Sequence, residues 1–178
     1  MPSPVALLKA EHDELLVRFL QDEPSLAISI SATLVKALLL AGASELEVEF
    51  QLHLRDYFTE VTKGTSPAVE FVTKKGINRQ FHTYFNWDNP NVNSFFALFG
   101  PEFKAAMTVR LRTDEALTTG IRDFLSLGAR RNEVVHKNFA AFSLTMTAEE
   151  VFHLYKSAKT FCDALPELLR VDVTAVQT

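Results

Sequence analysis

Three side chains that could act together on a phosphate lie close together in the sequence: Arg131, Asn132 and His136. Apolar residues recur around them at three- and four-residue steps, which predicts a helix over 114–138. Asn132 and His136 are four residues apart, so they lie one turn apart on the same face. Arg131 is rotated from His136 by about 140° with a rise of about 7.5 Å, which its long side chain can bridge. A permanent cation, an amide and an imidazole so placed suit phosphate binding with proton transfer.

The same stretch also has a purely structural interpretation. Arg130 and Lys137 flank the three residues, and positive charges near a helix C-terminus are favoured by the helix dipole. A charged helix end is usually a solvated helix end, and short motifs often arise by chance. From residue types alone, both interpretations stay open.

The order and spacing of Arg131, Asn132 and His136 resemble the R-N-x-x-x-H signature of the HEPN superfamily. The resemblance implies an all-helical domain that is commonly dimeric and, in many members, a metal-independent ribonuclease. HEPN domains that pair with a nucleotidyltransferase carry a tyrosine two residues beyond the histidine, where this chain has Asn138. The order of features is closer to toxin- and abortive-infection-associated HEPN proteins such as the RiboL-PSP group.

The resemblance also implies roles for individual residues. His136 would take or give a proton, Arg131 would bind the phosphate, and Asn132 would orient His136 or hold a phosphate oxygen. HEPN proteins often carry an acidic residue on the second helix facing the motif; Glu47 is the best match by position, with Glu45 as a rival. Arg130 and Lys137 would support the site, alongside Glu47.

The implied reaction is RNA cleavage by attack of the 2′-hydroxyl on the neighbouring phosphate, without cofactor or metal. The expected partners are RNA, a second copy of the chain joined through the 114–138 helix, and an antitoxin or phage-defence protein. The alternative from a different class is a non-catalytic HEPN-like module that binds RNA or another protein and serves regulation.

Helical periodicity predicts an all-α, up-and-down bundle of four main helices with additional short helices between them. The four are expected at 5–21, 25–61, 114–138 and from a capping box at Thr147 to about residue 170. A single domain over 1–178 is expected, with a frayed tail at 171–178. The N-cap of the third main helix is expected at Thr113.

Composition narrows the functional class. The net charge of −4 argues against a protein held on nucleic acid mainly by bulk charge, while leaving room for a local basic site. One cysteine, Cys162, forbids an internal disulfide and fits a cytoplasmic location. The apolar run at 26–43 approaches membrane-spanning length, but interspersed polar residues and Lys36 favour a buried bundle helix.

Histidines and aromatic residues give the remaining candidates. The five histidines show no metal-ligand spacing and there is no paired cysteine set, so no metal site is expected. No serine-nucleophile elbow supports a Ser-His-Asp hydrolase. The 15 phenylalanines predict an aromatic core. His82, Tyr84 and Trp87 are candidate base contacts. Phe124, Phe139 and Phe142 are candidates for a dimer interface, and each fits the monomer core equally well.

Overall fold

The computed structural model describes residues 2–64, 66–87 and 91–171. Within these ranges, the regular structure is helical apart from one isolated bridge between Asn86 and Asn91. The helices are α1 (Pro4–Leu20), α2 (Pro24–Val61), α3 (Pro67–Val72), α4 (Phe81–Tyr84), α5 (Asn93–Ala97), α6 (Pro101–Thr113), α7 (Glu115–His136) and α8 (Ala148–Leu168), with a π-helical turn at Thr73–Ile77. The predicted all-α fold is confirmed, and α1, α2, α7 and α8 are its four longest helices. The predicted tail at 171–178 lies outside the described residues, apart from residue 171.

Local sequence signals explain where most of these helices begin. The Ser3 hydroxyl accepts a hydrogen bond from the Ala6 amide at 3.2 Å, and Pro4 occupies the first turn of α1. Ser66 caps α3 in the same way, ahead of Pro67. These serine–proline pairs satisfy amide groups that a helix N-terminus leaves without partners.

The start of α7 differs from the prediction by one residue. Thr113 is the last residue of α6, and the Asp114 carboxylate caps α7 by accepting from the Leu117 amide at 2.9 Å. The Thr113 hydroxyl instead donates to the Arg110 carbonyl at 3.1 Å. The predicted Thr113 cap is therefore wrong, because that hydroxyl is used by the helix that ends there.

The second helix runs unbroken for 38 residues, although apolar and polar residues alternate over 44–50 as they would in a strand. The predicted burial of the apolar run is wrong for its first turn, where Leu26 is 42% exposed and Ile28 is 66% exposed. Burial becomes regular only from Val35 through Leu38 and Leu39. The length and composition of α2 would allow it to cross a membrane, but core helices of soluble proteins meet the same criteria. In its most apolar 18-residue window, 33% of the residues are buried.

The chain divides into two compact units. Unit 1 comprises 1–45 and 127–156, and unit 2 comprises 46–126 and 157–178. Each of α2, α7 and α8 therefore contributes one part of its length to each unit. The core of unit 1 consists of residues that are at most 5% exposed: Val5, Ala27, Val35, Leu38, Leu39, Leu127, Val134, Ala148, Val151 and Tyr155.

The core of unit 2 is aromatic, as predicted. Phe50 of α2 is fully buried, and several rings surround it with centroids 5.0 to 5.9 Å away: Phe81, Phe85, Phe95, Phe124 and Phe161. Most of these pairs are edge-to-face or tilted, the geometry that the ring quadrupole favours. Cys162 is also fully buried here, as expected for a small apolar core residue.

Candidate active site on the last turns of α7

The motif residues occupy the last two turns of α7, and one apolar neighbour fixes their direction. Val134 is fully buried in unit 1, so the opposite side of the helix faces solvent. Arg131 and Asn132 are half-buried, and His136, the last residue of α7, is exposed. The helix thus holds the arginine and the amide at its edge and leaves the imidazole accessible.

A direct hydrogen bond links two of the three motif residues. Arg131 donates from Nη1 to the Asn132 Oδ1 at 3.1 Å. This bond restricts the guanidinium and leaves the amide nitrogen of Asn132 directed elsewhere. The observed partner of Asn132 is therefore Arg131, while the predicted role of orienting His136 stays a prediction.

The two flanking cations, Arg130 and Lys137, each interact electrostatically with a different acidic residue. Lys137 pairs with Glu133 at 3.1 Å and lies 5.2 Å from the centre of the Phe142 ring. Arg130 acts on Glu150 at the start of α8. Hydrogen bonds from Thr147 lower the pKa of the Glu150 carboxyl most, and the positive charge of Arg130 lowers it further. These acids partly neutralise Lys137 and Arg130, whereas Arg131 is the cation that is hydrogen-bonded to Asn132.

The predicted acidic residues fall in different units. Glu45 belongs to unit 1, with the motif, and accepts a hydrogen bond of 2.5 Å from the Tyr155 hydroxyl. Glu47 belongs to unit 2 and accepts from the Gln51 amide at 3.3 Å. Both carboxylates are half-buried and have side-chain partners. The assignment of Glu47 to the site stays a prediction.

Sequence reasoning missed Lys36, which controls the turn after the motif. Lys36 is only 6% exposed, and its ammonium donates to the backbone carbonyls of Phe139 at 2.7 Å and Phe142 at 3.2 Å. It also lies 4.5 Å from the centre of the Phe139 ring. The lysine was visible only as an interruption of an apolar run, and its distant partners give no local signal.

The first turn of α8 closes the same region through the predicted capping box. The Thr147 amide donates to the Glu150 carboxylate at 2.7 Å, and the Glu150 amide donates to the Thr147 hydroxyl at 3.1 Å. This reciprocal pair satisfies two amides at the helix start. The chain between α7 and α8 is thus anchored by Lys36 near its beginning and by the capping box at its end.

A hydrogen-bonded Ser-His-Asp chain also occurs in unit 1. His12 contacts the Ser31 hydroxyl through Nε2 at 2.9 Å and the Asp13 carboxylate through Nδ1 at 3.0 Å. Ser31 lies inside α2, where the neighbouring amides bond within the helix and cannot stabilise an oxyanion. His12 is 5% exposed. We interpret this chain as a buried polar link between α1 and α2.

The aromatic candidates separate by burial. Tyr84 is 6% exposed and its hydroxyl donates to the Gly76 carbonyl, while burial raises its pKa to about 12. The Trp87 indole donates to the His82 carbonyl at 3.0 Å. Phe124 is 3% exposed in the core of unit 2 and is unsuitable as a dimer contact, unlike Phe139, which is 40% exposed. Phe142 is half-buried.

In the part of the chain that the structure describes, no group of three histidine, cysteine or acidic residues could hold a metal ion. The candidate site consists of an arginine, an asparagine and a histidine side chain. Asn132 restrains the guanidinium of Arg131, and Lys36 restrains the turn that follows α7.

Comparison with known proteins gives one finding. Neither the curated proteins nor the solved structures contain a match to this chain. The family model described as RiboL-PSP-HEPN matches residues 9–170, a span that includes all of α2 to α8 and most of α1. Because this match covers most of the chain, the chain belongs to the RiboL-PSP-HEPN family.

Proposed function

We propose that the chain is a metal-independent endoribonuclease of HEPN type, acting as a toxin or phage-defence effector. The observation that carries the proposal is the pairing of a restrained Arg131 with an exposed His136 on the last turns of α7. Membership in the RiboL-PSP-HEPN family supports it. The site residues would supply charge and proton transfer from side chains alone.

The proposed reaction begins when the 2′-hydroxyl of RNA attacks the adjacent phosphorus atom. The proton of that hydroxyl passes to a base, and the 5′-oxygen of the next nucleotide leaves after receiving a proton from an acid. The products are a 2′,3′-cyclic phosphate and a 5′-hydroxyl, with no water consumed. An imidazole exchanges protons near neutral pH and can fill either role.

Arg131 would stabilise the charge that develops on the phosphate in the transition state. Its planar fork of donors matches two phosphate oxygens, and a preoriented donor set is worth more than a mobile one. The bond from Nη1 to Asn132 leaves the other guanidinium nitrogens available for phosphate. Arg130 and Lys137, with Glu150 and Glu133 nearby, would act on the flanking phosphates.

A second copy of the chain would complete the site. One chain places one His136 on a convex helix end, whereas binding sites are generally concave. A two-fold axis near the ends of two α7 helices would bring two arginines and two histidines to one cleft. One histidine could then serve as base and the other as acid. Val135 at 50% exposure and Phe139 at 40% are apolar surfaces beside the motif that such an interface would cover.

The test is incubation of the purified protein with total RNA in EDTA. We expect cleavage that persists in EDTA and leaves 5′-hydroxyl ends, and loss of about 10² to 10⁴ in rate in His136→Ala. The matched control is His153→Ala, since His153 is an exposed histidine on α8 of the same unit. Cleavage that disappears in EDTA and returns with a divalent ion would refute the mechanism.

Substrate analogues test the nucleophile separately. DNA of the same sequence and RNA with a 2′-methoxy group at the cut site lack the attacking hydroxyl, so both should resist cleavage. Efficient cutting of either would mean that water is the nucleophile. RNA binding without cleavage of any substrate would instead favour the non-catalytic HEPN-like module.

A further inference from the structure

Unit 2 contains a cavity of about 330 Å³ whose walls come from α2, the end of α3, the π-helical turn, α4 and the region of α5. This volume falls within the range of small-molecule sites. The cavity is lined mainly by aliphatic and aromatic side chains, including Phe58, Phe95 and Phe99. It is separate from the motif in the sequence, and none of the residues assigned to RNA cleavage lines it.

Apolar surface remains exposed at this cavity. Leu98 contributes to its lining and is 66% exposed, and Phe58 and Phe99 are half-buried. The removal of apolar surface from water is favourable. A ligand with an apolar body would therefore gain free energy by covering these side chains.

The charge at the cavity is positive and not offset by an acid in its lining. Lys75 lines the cavity, and among the described residues no carboxylate forms an ion pair with it. The neighbouring Lys74 does have a partner, Glu70, at 3.4 Å. The segment 71–87 contains Lys74, Lys75 and Arg79 and no acidic residue, although the chain as a whole carries a net charge of −4.

The other polar groups of the lining are largely occupied. The Tyr84 hydroxyl donates to the Gly76 carbonyl, and the Thr83 hydroxyl donates to the Gln80 carbonyl at 2.7 Å. The Lys75 ammonium and the side-chain amide nitrogen of Gln80 are left to contact a ligand. This composition matches a molecule with a single negative charge and few other polar groups.

We propose that this cavity binds a small amphipathic carboxylate, whose apolar body lies among the aromatic walls and whose carboxylate pairs with Lys75. Lys75 is exposed, so a neutral apolar molecule could bind the walls but would make no ion pair with its ammonium. A doubly charged phosphate would need more cations than the one that lines the cavity. The inference does not depend on the proposed ribonuclease activity.

The test uses decanoate, below the concentration at which it forms micelles, and the full chain. Methyl NMR should show shifts of the Leu98 and Val72 signals, and calorimetry should give a Kd on the order of 10 to 100 µM. Decanol, the neutral counterpart, should bind roughly three- to tenfold more weakly, as expected for loss of one partly exposed ion pair.

Two pairs of variants locate the binding. Lys75→Met should weaken decanoate about three- to tenfold, whereas Lys74→Met, an equal change of charge on the adjacent residue, should leave it within about twofold. Leu98→Asp, which places a negative charge at the cavity, should weaken it by more than about tenfold. Val109→Asp is its control, since Val109 is a 56% exposed valine on α6.

Three results would overturn the proposal. The first is an absence of shifts at Leu98 and Val72 at millimolar decanoate. The second is an equal loss of affinity in Lys74→Met and Lys75→Met, which would show attraction by overall charge alone. The third is equal affinity for decanol and decanoate with no effect of Lys75→Met. Thermal unfolding of each variant checks that the fold is retained, and Lys75→Met remains decisive if Leu98→Asp fails to fold.

Discussion

Lys36 brings a buried positive charge to two backbone carbonyls directly after the motif helix. Its ammonium donates to Phe139 and Phe142, and the side chain is almost fully buried. We expect Lys36→Met to keep the apolar stem but leave both carbonyls without this donor. Loss of a charged hydrogen-bond donor at a buried site costs about 1 to 3 kcal/mol, which urea unfolding would measure.

The control for that variant is Lys104→Met. Lys104 is an exposed lysine on α6, and exposed substitutions usually change stability by less than about 0.5 kcal/mol. If the two variants are equally stable, the contacts of Lys36 contribute nothing to the fold. Under the proposed function, Lys36→Met should also slow RNA cleavage, because the turn that follows His136 loses its anchor.

The hydrogen bond between Arg131 and Asn132 gives a second prediction at this scale. Arg131→Lys should slow RNA cleavage about 10-fold or more, since an ammonium is a point charge that does not replace a planar fork. Asn132→Ala should slow it as well, by freeing the guanidinium. The measurement is kcat/KM on a defined RNA, with Arg122→Lys as control on the same helix. Full activity of Arg131→Lys would reduce Arg131 to a source of general positive charge.

At the scale of the helices, the capping box at the start of α8 shifts the pKa of the Glu150 carboxyl. Hydrogen bonds from Thr147 hold the pKa of the Glu150 carboxyl below its ordinary value of 4.5, with a smaller contribution from Arg130. A carboxyl whose pKa is lower in the folded state stabilises the fold above its unfolded pKa. That stabilisation is lost as the pH falls through the folded pKa.

Thr147→Ala should therefore raise the pKa of Glu150 toward 4.5, because the side-chain hydrogen bond is lost. NMR titration of the Glu150 carboxyl carbon would follow the shift. Thr145→Ala is a suitable control, as it changes an exposed threonine two residues away. Alanine keeps the backbone amide that also bonds Glu150, so an unchanged pKa of Glu150 in Thr147→Ala would show that the Thr147 hydroxyl does not hold the carboxylate in solution.

The contact between α7 and α8 in unit 2 depends on Gly120. A Cβ atom at this position would lie 2.9 Å from the Thr160 hydroxyl, 3.1 Å from the Ser157 carbonyl and 3.2 Å from the Phe161 amide. Two of these neighbours are backbone atoms that cannot rotate away. Gly120→Ala should therefore destabilise the fold by about 1 to 3 kcal/mol, as overpacking does.

Gly76→Ala is the matched control for this contact. Its added Cβ would meet only Val72, at an ordinary distance of 3.6 Å. Chemical denaturation of the two variants compares the costs directly. If Gly120→Ala is as stable as the unmodified chain, the two helices can separate slightly without loss.

The helices that the sequence predicts well are those whose signals are local. The Thr147 capping box and the periodicity of α7 both act within a few residues, so their predictions agree with the structure. The π-helical turn at 73–77 follows α3 directly and differs from an α-helix in its backbone hydrogen bonds. Its i to i+5 bond, from the Asn78 amide to the Thr73 carbonyl at 2.8 Å, has no sequence signature of its own.

The candidate site was predictable only in part. The spacing of Arg131, Asn132 and His136 follows from the helix period and needed only the sequence. The link from Lys36 to Phe139 joins residues more than one hundred positions apart, and single-sequence periodicity carries no information at that range. The exposure of Leu26 and Ile28 was missed for the same reason, because an apolar run indicates hydrophobicity but not which neighbours cover it.

At the scale of the whole molecule, the central prediction is a homodimer. Light scattering coupled to size-exclusion chromatography at micromolar concentration should give about twice the 20.0 kDa of one chain. Val135→Glu should shift the mass toward one chain and lower RNA cleavage with it, because a charge on this apolar surface opposes burial at an interface.

Val17→Glu is the control, as Val17 is a 74% exposed valine on α1 and lies far from the motif in the sequence. It should leave both mass and activity unchanged. A fully active particle of 20.0 kDa would contradict the shared-cleft arrangement. Arg131 and His136 would then have to act within one chain.

The buried Cys162 can report when the core of unit 2 opens, because it is the single cysteine of the chain. Cys162 is fully buried in unit 2, its sulfur lies 3.9 Å from the Leu46 carbonyl, and burial raises the pKa of the thiol well above its usual range. A thiol reagent can react only when this part of the core opens, since the thiolate is the reactive form. Because the sequence contains one cysteine thiol, the labelling rate gives the frequency of that opening, without an introduced probe.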